Sequence, residues 1–246
     1  MTNTLPLAGQ VALVTGASRG IGHSTALALA KAGAHIIAVA RTQGALEELD
    51  DEILAATGER ATLVPLDLAE PDGLDALGGA LHQRFGRIDL LVHAAAILGP
   101  LTPVSHLELK QWDKVVAINL TAVYRLIRSF EPLLVAAPKG RAIFVTTGVV
   151  ARPRAFWGAY AATKAAMETL VRCWADEMEH TAVRAAIVDP GKMRTRMRAQ
   201  AFPGEDPLSL PHPDEIGPLM VELAQAELGQ PKETVVFSSW KAGQKA

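Results

Sequence analysis

Cysteine is nearly missing from this chain. A single residue, Cys173, excludes an internal disulfide and any metal site built from cysteine pairs. It is expected to behave as a small buried apolar side chain. No His, Cys and Asp residues fall at metal-ligand spacing, so no metal is expected. Charge of one sign is also lacking: the formal net charge of -2 leaves no basic field for nucleic acid or for an anionic membrane surface. No apolar run approaches the roughly 20 residues a membrane-crossing helix needs. The opening MTNTLPLAGQ has no basic segment ahead of an apolar one, so no secretory leader is expected and the chain reads as cytoplasmic. Aromatics are few, and there are only two tyrosines.

What is present is alternation. Short β-branched runs at 11–15, 34–40, 61–66, 88–94, 141–147, 182–190 and 234–238 predict strands. Helical patterns lie between them at 20–31, 42–56, 71–85, 109–134 and 159–179, with Thr42 as a cap and Pro71 opening its helix. Leu46, Leu49 and Ile53 share one helical face. Strands that alternate with helices predict a parallel sheet covered on both sides. No linker interrupts the pattern, so residues 1–246 read as one domain. The proline-rich stretch 192–213 is less regular and reads as a loop over the sheet, either a lid or ordinary surface.

The first strand runs into TGASRGIG, with glycines at 16, 20 and 22. A turn free of side chains, followed by a helix N-terminus with unpaired N–H groups, suits a phosphate. Ser18 and Arg19 either add hydrogen bonds to it or face solvent. The second strand ends at Arg41, where a carboxylate would read a ribose hydroxyl; arginine instead suits a 2′-phosphate. Asp67, after the third strand, either reaches an adenine amino group or serves its turn. Tyr160 and Lys164 stand four apart on a helix and so share a face. That is either a surface pair or a phenol beside a cation.

Taken in order, Thr15-Gly16-x-x-x-Gly20-Ile21-Gly22, Asn119, Tyr160-x-x-x-Lys164 and Pro190-Gly191 resemble the classical short-chain dehydrogenase/reductase family across nearly the whole chain. Arg41 resembles its NADP-preferring branch. The resemblance implies a Rossmann-like three-layer α/β/α sandwich with a seven-stranded parallel sheet, NADP(H) as cofactor, and a homodimer or homotetramer. The long helices would form the subunit bundle, with Phe130, Leu133, Met167, Leu170 and Trp174 buried there or in the chain's own core. The reaction implied interconverts a carbonyl and its secondary alcohol. Tyr160 would be the acid/base, Lys164 would favour its ionised form and hold the ribose, and Asn119 would anchor a water near Lys164. Cofactor contacts would come from Gly16, Ser18, Arg19, Gly20, Ile21, Gly22, Arg41, Asp67, Leu68, Ala94, Ala95, Tyr160, Lys164, Pro190, Gly191 and Thr195.

Two positions depart from the family pattern. Its Asn-Asn-Ala-Gly stretch is here His93-Ala94-Ala95-Ala96, where His93 is either a satisfied structural residue or a replacement for one lost hydrogen bond. Its serine, thirteen residues before the tyrosine, is here Thr147, which keeps the hydroxyl and adds a methyl. Strand alternation sends the neighbouring Thr146 to the opposite face. Thr147, Val149, Phe156, Trp157, Met193 and Met197 are the candidate substrate-facing residues, for an apolar pocket. The run KMRTRMR reads first as a solvated surface and second as a patch for an acyl carrier protein, which would make the substrate a 3-oxoacyl thioester. An NADP-binding scaffold without turnover is the remaining alternative.

Overall fold

The computed structural model describes residues 5–70, 72–226 and 233–244. Seven strands form one parallel sheet: β1 (Val11–Thr15), β2 (His35–Ala40), β3 (Thr62–Pro65), β4 (Leu90–His93), β5 (Arg141–Val145), β6 (Arg184–Asp189) and β7 (Val235–Val236). The order is β3-β2-β1-β4-β5-β6-β7. Val14 pairs with Ala38 on one side and Val92 on the other. Strand order reverses between β1 and β4, and a parallel sheet opens a crevice at such a point, outside its strand C-termini.

Alternate strand residues feed two cores. Val14, Ile36, Ala38, Val92, Ile143 and Val188 face α1 (Gly20–Lys31), α2 (Gln43–Thr57) and α8 (Gly217–Gln225). Leu13, Ile37, Val39, Leu91, Phe144 and Ile187 face α3 (Gly73–Phe85), α5 (Ala122–Val135) and α6 (Gly158–Glu177). Two covered faces explain why the strands are apolar throughout rather than alternating. Each fully buried Leu, Ile or Phe contributes about 1.5–3 kcal/mol.

Several expectations are corrected. The helix expected at 109–134 is α4 (Leu109–Val116), a π-helical turn at Ala117–Thr121 and then α5. Thr42 precedes α2 but makes no side-chain capping bond. Strand β5 stops at Val145, so Thr146 and Thr147 lie beyond the ladder, although the Thr146 N–H still donates to the Val188 carbonyl at 2.8 Å. The last strand shrinks to Val235–Val236, because Phe237 turns into α9 (Phe237–Gly243) and buries its ring in the core. The stretch 192–213 contains α7 (Arg196–Ala201) and short 3-10 turns. Cys173 is exposed on α6 rather than buried. Phe130, Leu133, Met167 and Trp174 are buried in the chain's own core, and Leu170 packs against it. Pro71 lies outside the described residues.

Candidate active site

A cleft of about 1220 Å³ opens over the C-terminal ends of the strands. At one end lies the glycine turn between β1 and α1. Gly16 has φ 70°, and a Cβ there would come within 2.8 Å of the Ala95 amide nitrogen. A Cβ on Gly22 would come within 2.3 Å of the Gly16 carbonyl oxygen. Both positions must be bare for the turn to close against the segment after β4 and feed directly into the helix. Ser18, Arg19, Gly20 and Ile21 complete this end of the cleft. Thr195 reaches back to it, its Cγ2 lying 3.3 Å from where a Gly20 Cβ would stand.

Arg41, Asp67 and Leu68 line the far wall, beyond β2 and β3. Arg41 Nη1 is 3.8 Å from Asp67 Oδ2, with both side chains partly exposed. Such a pair contributes about 1 kcal/mol or less, so the guanidinium is available to an incoming anion. Ala94 and Ala95 line the floor. His93, buried beside them, meets Thr15 Oγ1 through Nδ1 at 2.9 Å. Burial lowers its pKa to about 3, helped by Lys164. Its Nε2 has no partner among the described residues.

At the opposite end stand Tyr160, Lys164 and Thr147, all on the cleft wall. Tyr160 and Lys164 come from successive turns of α6, packed behind β5. Lys164 Nζ donates to the Val145 carbonyl at 2.7 Å, and burial lowers its pKa to about 8 against the pull of Glu168. The phenol of Tyr160 is pushed up to about 12, first by burial and then by the Asp189 charge, while a hydrogen bond with Thr147 works the other way. Burial and the Asp189 charge act in the same direction, and only the Thr147 hydrogen bond favours the ionised phenol; Lys164 is not among the causes.

Asn119 is buried in the π-helical turn and does not line the cleft. Its Oδ1 accepts the Ile97 N–H at 2.9 Å; its Nδ2 donates to the Ile97 carbonyl at 2.9 Å and to Thr163 Oγ1 at 3.3 Å. Thr146 donates to Glu168 at 2.6 Å, yet it lines the cleft alongside Thr147: β5 has ended at Val145, so the expected alternation does not carry it to the opposite face. Glu168, four residues past Lys164, also receives Arg172, which reaches Thr234; this tie was missed, though its spacing on the helix was readable.

Of the candidate substrate residues, Trp157, Met193 and Met197 line the cleft. Val149 and Phe156 do not: Phe156 is exposed, in a loop whose backbone is bound to Thr102. Phe202, from the same segment as Met193 and Met197, joins an aromatic series. Its ring is 5.9 Å from Trp157, and Trp157 is 6.0 Å edge-on to Tyr160. Arg198 stacks on Phe202 at 3.7 Å and pairs with Glu205 at 2.5 and 2.6 Å. Arg194 is held by the Leu210 carbonyl. Two cations of the KMRTRMR run are thus engaged within the 192–213 stretch. Pro190 and Gly191 border the cleft between the two ends. Among the described residues, no group of three or more His, Cys, Asp or Glu is arranged to hold a metal, and no helix is long and apolar enough to cross a membrane.

A glycine turn free of side chains thus lies along the same switch-point cleft as a buried phenol and amine. The chain belongs to the short chain dehydrogenase family, whose model matches residues 10–206. It is 35% identical to the oxidoreductase YciK of Escherichia coli K12 over 216 residues, 87% of this chain and 85% of that protein. A short chain dehydrogenase structure from Pseudomonas syringae superposes with a TM-score of 0.91 at 36% identity, covering 96% of this chain and 98% of that one. Another, from Escherichia coli CFT073 and solved with NADPH, gives 0.91 at 33% identity, covering 96% and 99%.

Proposed function

We propose that this protein is an NADP(H)-dependent oxidoreductase that interconverts a carbonyl compound and its secondary alcohol, with Tyr160 as acid/base. The observation that carries this reading is the convergence of Tyr160, Lys164 and Thr147 on one end of a cleft whose other end is a bare glycine turn.

The residues present fit the cofactor. Gly16 and Gly22 leave backbone room for a diphosphate at the α1 N-terminus. Arg41 suits a 2′-phosphate, since a guanidinium donates and cannot accept from a ribose hydroxyl. When bound, NADP(H) supplies the hydride and, in its oxidised form, a positive ring charge. The chain handles the proton. Thr147 orients the substrate oxygen, and Tyr160 Oη gives that oxygen its proton as the hydride reaches the carbon. With its phenol held at about 12, Tyr160 is in the donor form throughout the neutral range. Lys164, at about 8, keeps substantial positive charge there to hold the ribose hydroxyls. Trp157, Met197 and Phe202 make the substrate end apolar and help to exclude water.

Residues 1–246 act as one unit in this reading, and the chain assembles as a homodimer or homotetramer. A carrier-bound 3-oxoacyl substrate would have to rely on Lys192 and Arg196, because Arg194 and Arg198 are engaged within the 192–213 stretch. The test is a panel of ketones and aldehydes with NADPH and NADH. Reduction is expected with NADPH, and Tyr160→Phe is expected to lower it by about 10²–10⁴-fold while leaving NADPH binding in place. Tight NADPH binding with no turnover across the panel would make the protein a scaffold and sink the proposal.

A further inference from the structure

A ridge of α6 carries Tyr160, Lys164, Glu168 and Arg172 at four-residue steps, each side chain beside the next. The phenol and the amine stand on the cleft wall; Glu168 is buried and is not part of that lining. Lys164 and Glu168 take consecutive residues at the end of β5. Lys164 Nζ donates to the Val145 carbonyl at 2.7 Å, and Glu168 Oε1 accepts the Thr146 hydroxyl at 2.6 Å. The next residue is Thr147. The regular strand has stopped at Val145, and beyond it the Thr146 N–H makes one more bond across to Val188. Side chains of α6 take over at that corner, and the same helix carries the phenol.

Glu168 is itself held in place. Its Oε2 receives Arg172 Nη2 at 3.0 Å, and the same nitrogen donates to Thr234 Oγ1 at 3.1 Å, directly ahead of β7. A buried carboxylate is costly unless its oxygens are paired, and here each oxygen has a partner. With the two oxygens engaged from different elements, the carboxyl plane is fixed, and with it the place of the Thr146 side chain. The connection runs unbroken from Thr234 through Arg172, Glu168 and Thr146 to the peptide that carries Thr147.

We infer that Glu168 is a positioning residue for carbonyl reduction: by holding the Thr146 hydroxyl it sets where the Thr147 hydroxyl stands relative to the Tyr160 phenol. This rests on the reading of Tyr160 and Thr147 as the groups that meet the carbonyl oxygen, and the test separates the two. Glu168→Ala is expected to lower kcat for ketone reduction by about 10–100-fold. Thr146→Val, which keeps the side chain's shape and removes the donor, is expected to do the same. NADPH affinity, read by fluorescence titration, is expected to stay at the parent's value, because the glycine turn and Arg41 lie along other parts of the cleft. The double variant is expected to be no slower than either single one, since both remove the same bond. Glu168→Gln still accepts from Thr146 and is expected to recover most of the rate. A role in stability alone predicts the opposite split, a lower urea midpoint with kcat per folded molecule kept. That result, additive losses in the double variant, or a Glu168→Gln no faster than Glu168→Ala overturns the inference. Thr146→Val decides it even where Glu168→Ala does not fold. A parent that reduces no carbonyl overturns the catalytic reading and takes this inference with it; an active parent whose Thr146→Val keeps its kcat overturns this inference alone.

Discussion

The side-chain amide of Asn119 takes both backbone groups of Ile97, accepting its N–H and donating to its carbonyl, each at 2.9 Å. A side chain in a π-helical turn thus stands in for a neighbouring strand, just where the chain has left β4 and has no ladder to join. π-helical turns are uncommon, and many occur at functional sites. This one holds the segment that follows Ala94 and Ala95 on the cleft floor.

Asn119→Ala leaves the Ile97 N–H and carbonyl without their partner. Unpaired polar groups of this kind cost roughly 1–3 kcal/mol each, so a loss of about 2 kcal/mol is expected. Urea unfolding measures it. A midpoint equal to that of the parent would show that the amide is not holding this segment.

Two glycines give a contrast. Gly16→Ala places a Cβ within 2.8 Å of a backbone nitrogen at a positive φ, whereas Gly44 has ordinary backbone and open space around it. NADPH affinity is expected to fall by about tenfold or more in the first and to stay unchanged in Gly44→Ala, as read by fluorescence titration. Equal affinities would remove the cradle from the cofactor site.

Arg41→Ser is expected to raise KM for NADPH by about 10–100-fold and to leave NADH nearly unaffected. Its partner Asp67 is only loosely held at 3.8 Å, so the fold should not respond. Parallel losses with both cofactors would mean that Arg41 does not read the 2′-phosphate.

His93 makes stability depend on acid. Its folded pKa of about 3 lies below the ordinary 6.5, so between these values the unfolded chain binds a proton that the folded chain refuses. The stabilisation is complete above pH 6.5 and is lost as pH falls toward 3, by on the order of 3–5 kcal/mol. His93→Asn keeps a polar partner for Thr15 and removes this titration. Its unfolding free energy, measured from pH 7 to pH 4, should fall less steeply than the parent's; identical slopes would refute the assignment.

Much of this molecule was legible in short stretches. Strand and helix alternation, the bare turn at Gly16 to Gly22, and the shared face of Tyr160 and Lys164 all depend on neighbours a few residues apart. Composition and periodicity report such relationships directly. The run 234–238 shows where that stops. It has the residues of a strand, yet only Val235 and Val236 pair with β6, because burying Phe237 favours a helix. Cys173 likewise faces solvent because α6 turns other residues toward the core.

The sequence by itself determined which chemical groups exist and which of them share a local surface: a phenol, an amine one helical turn away, a hydroxyl, a glycine turn and an arginine after the second strand. The tertiary structure decided how those groups are charged and aimed. Lys164 turns to the Val145 carbonyl, Asn119 to Ile97, and Glu168 to Thr146 at the end of β5. Burial and Coulomb interaction depend on distance through space, and distance through space is set by how the sheet brings β4, β5 and β6 side by side.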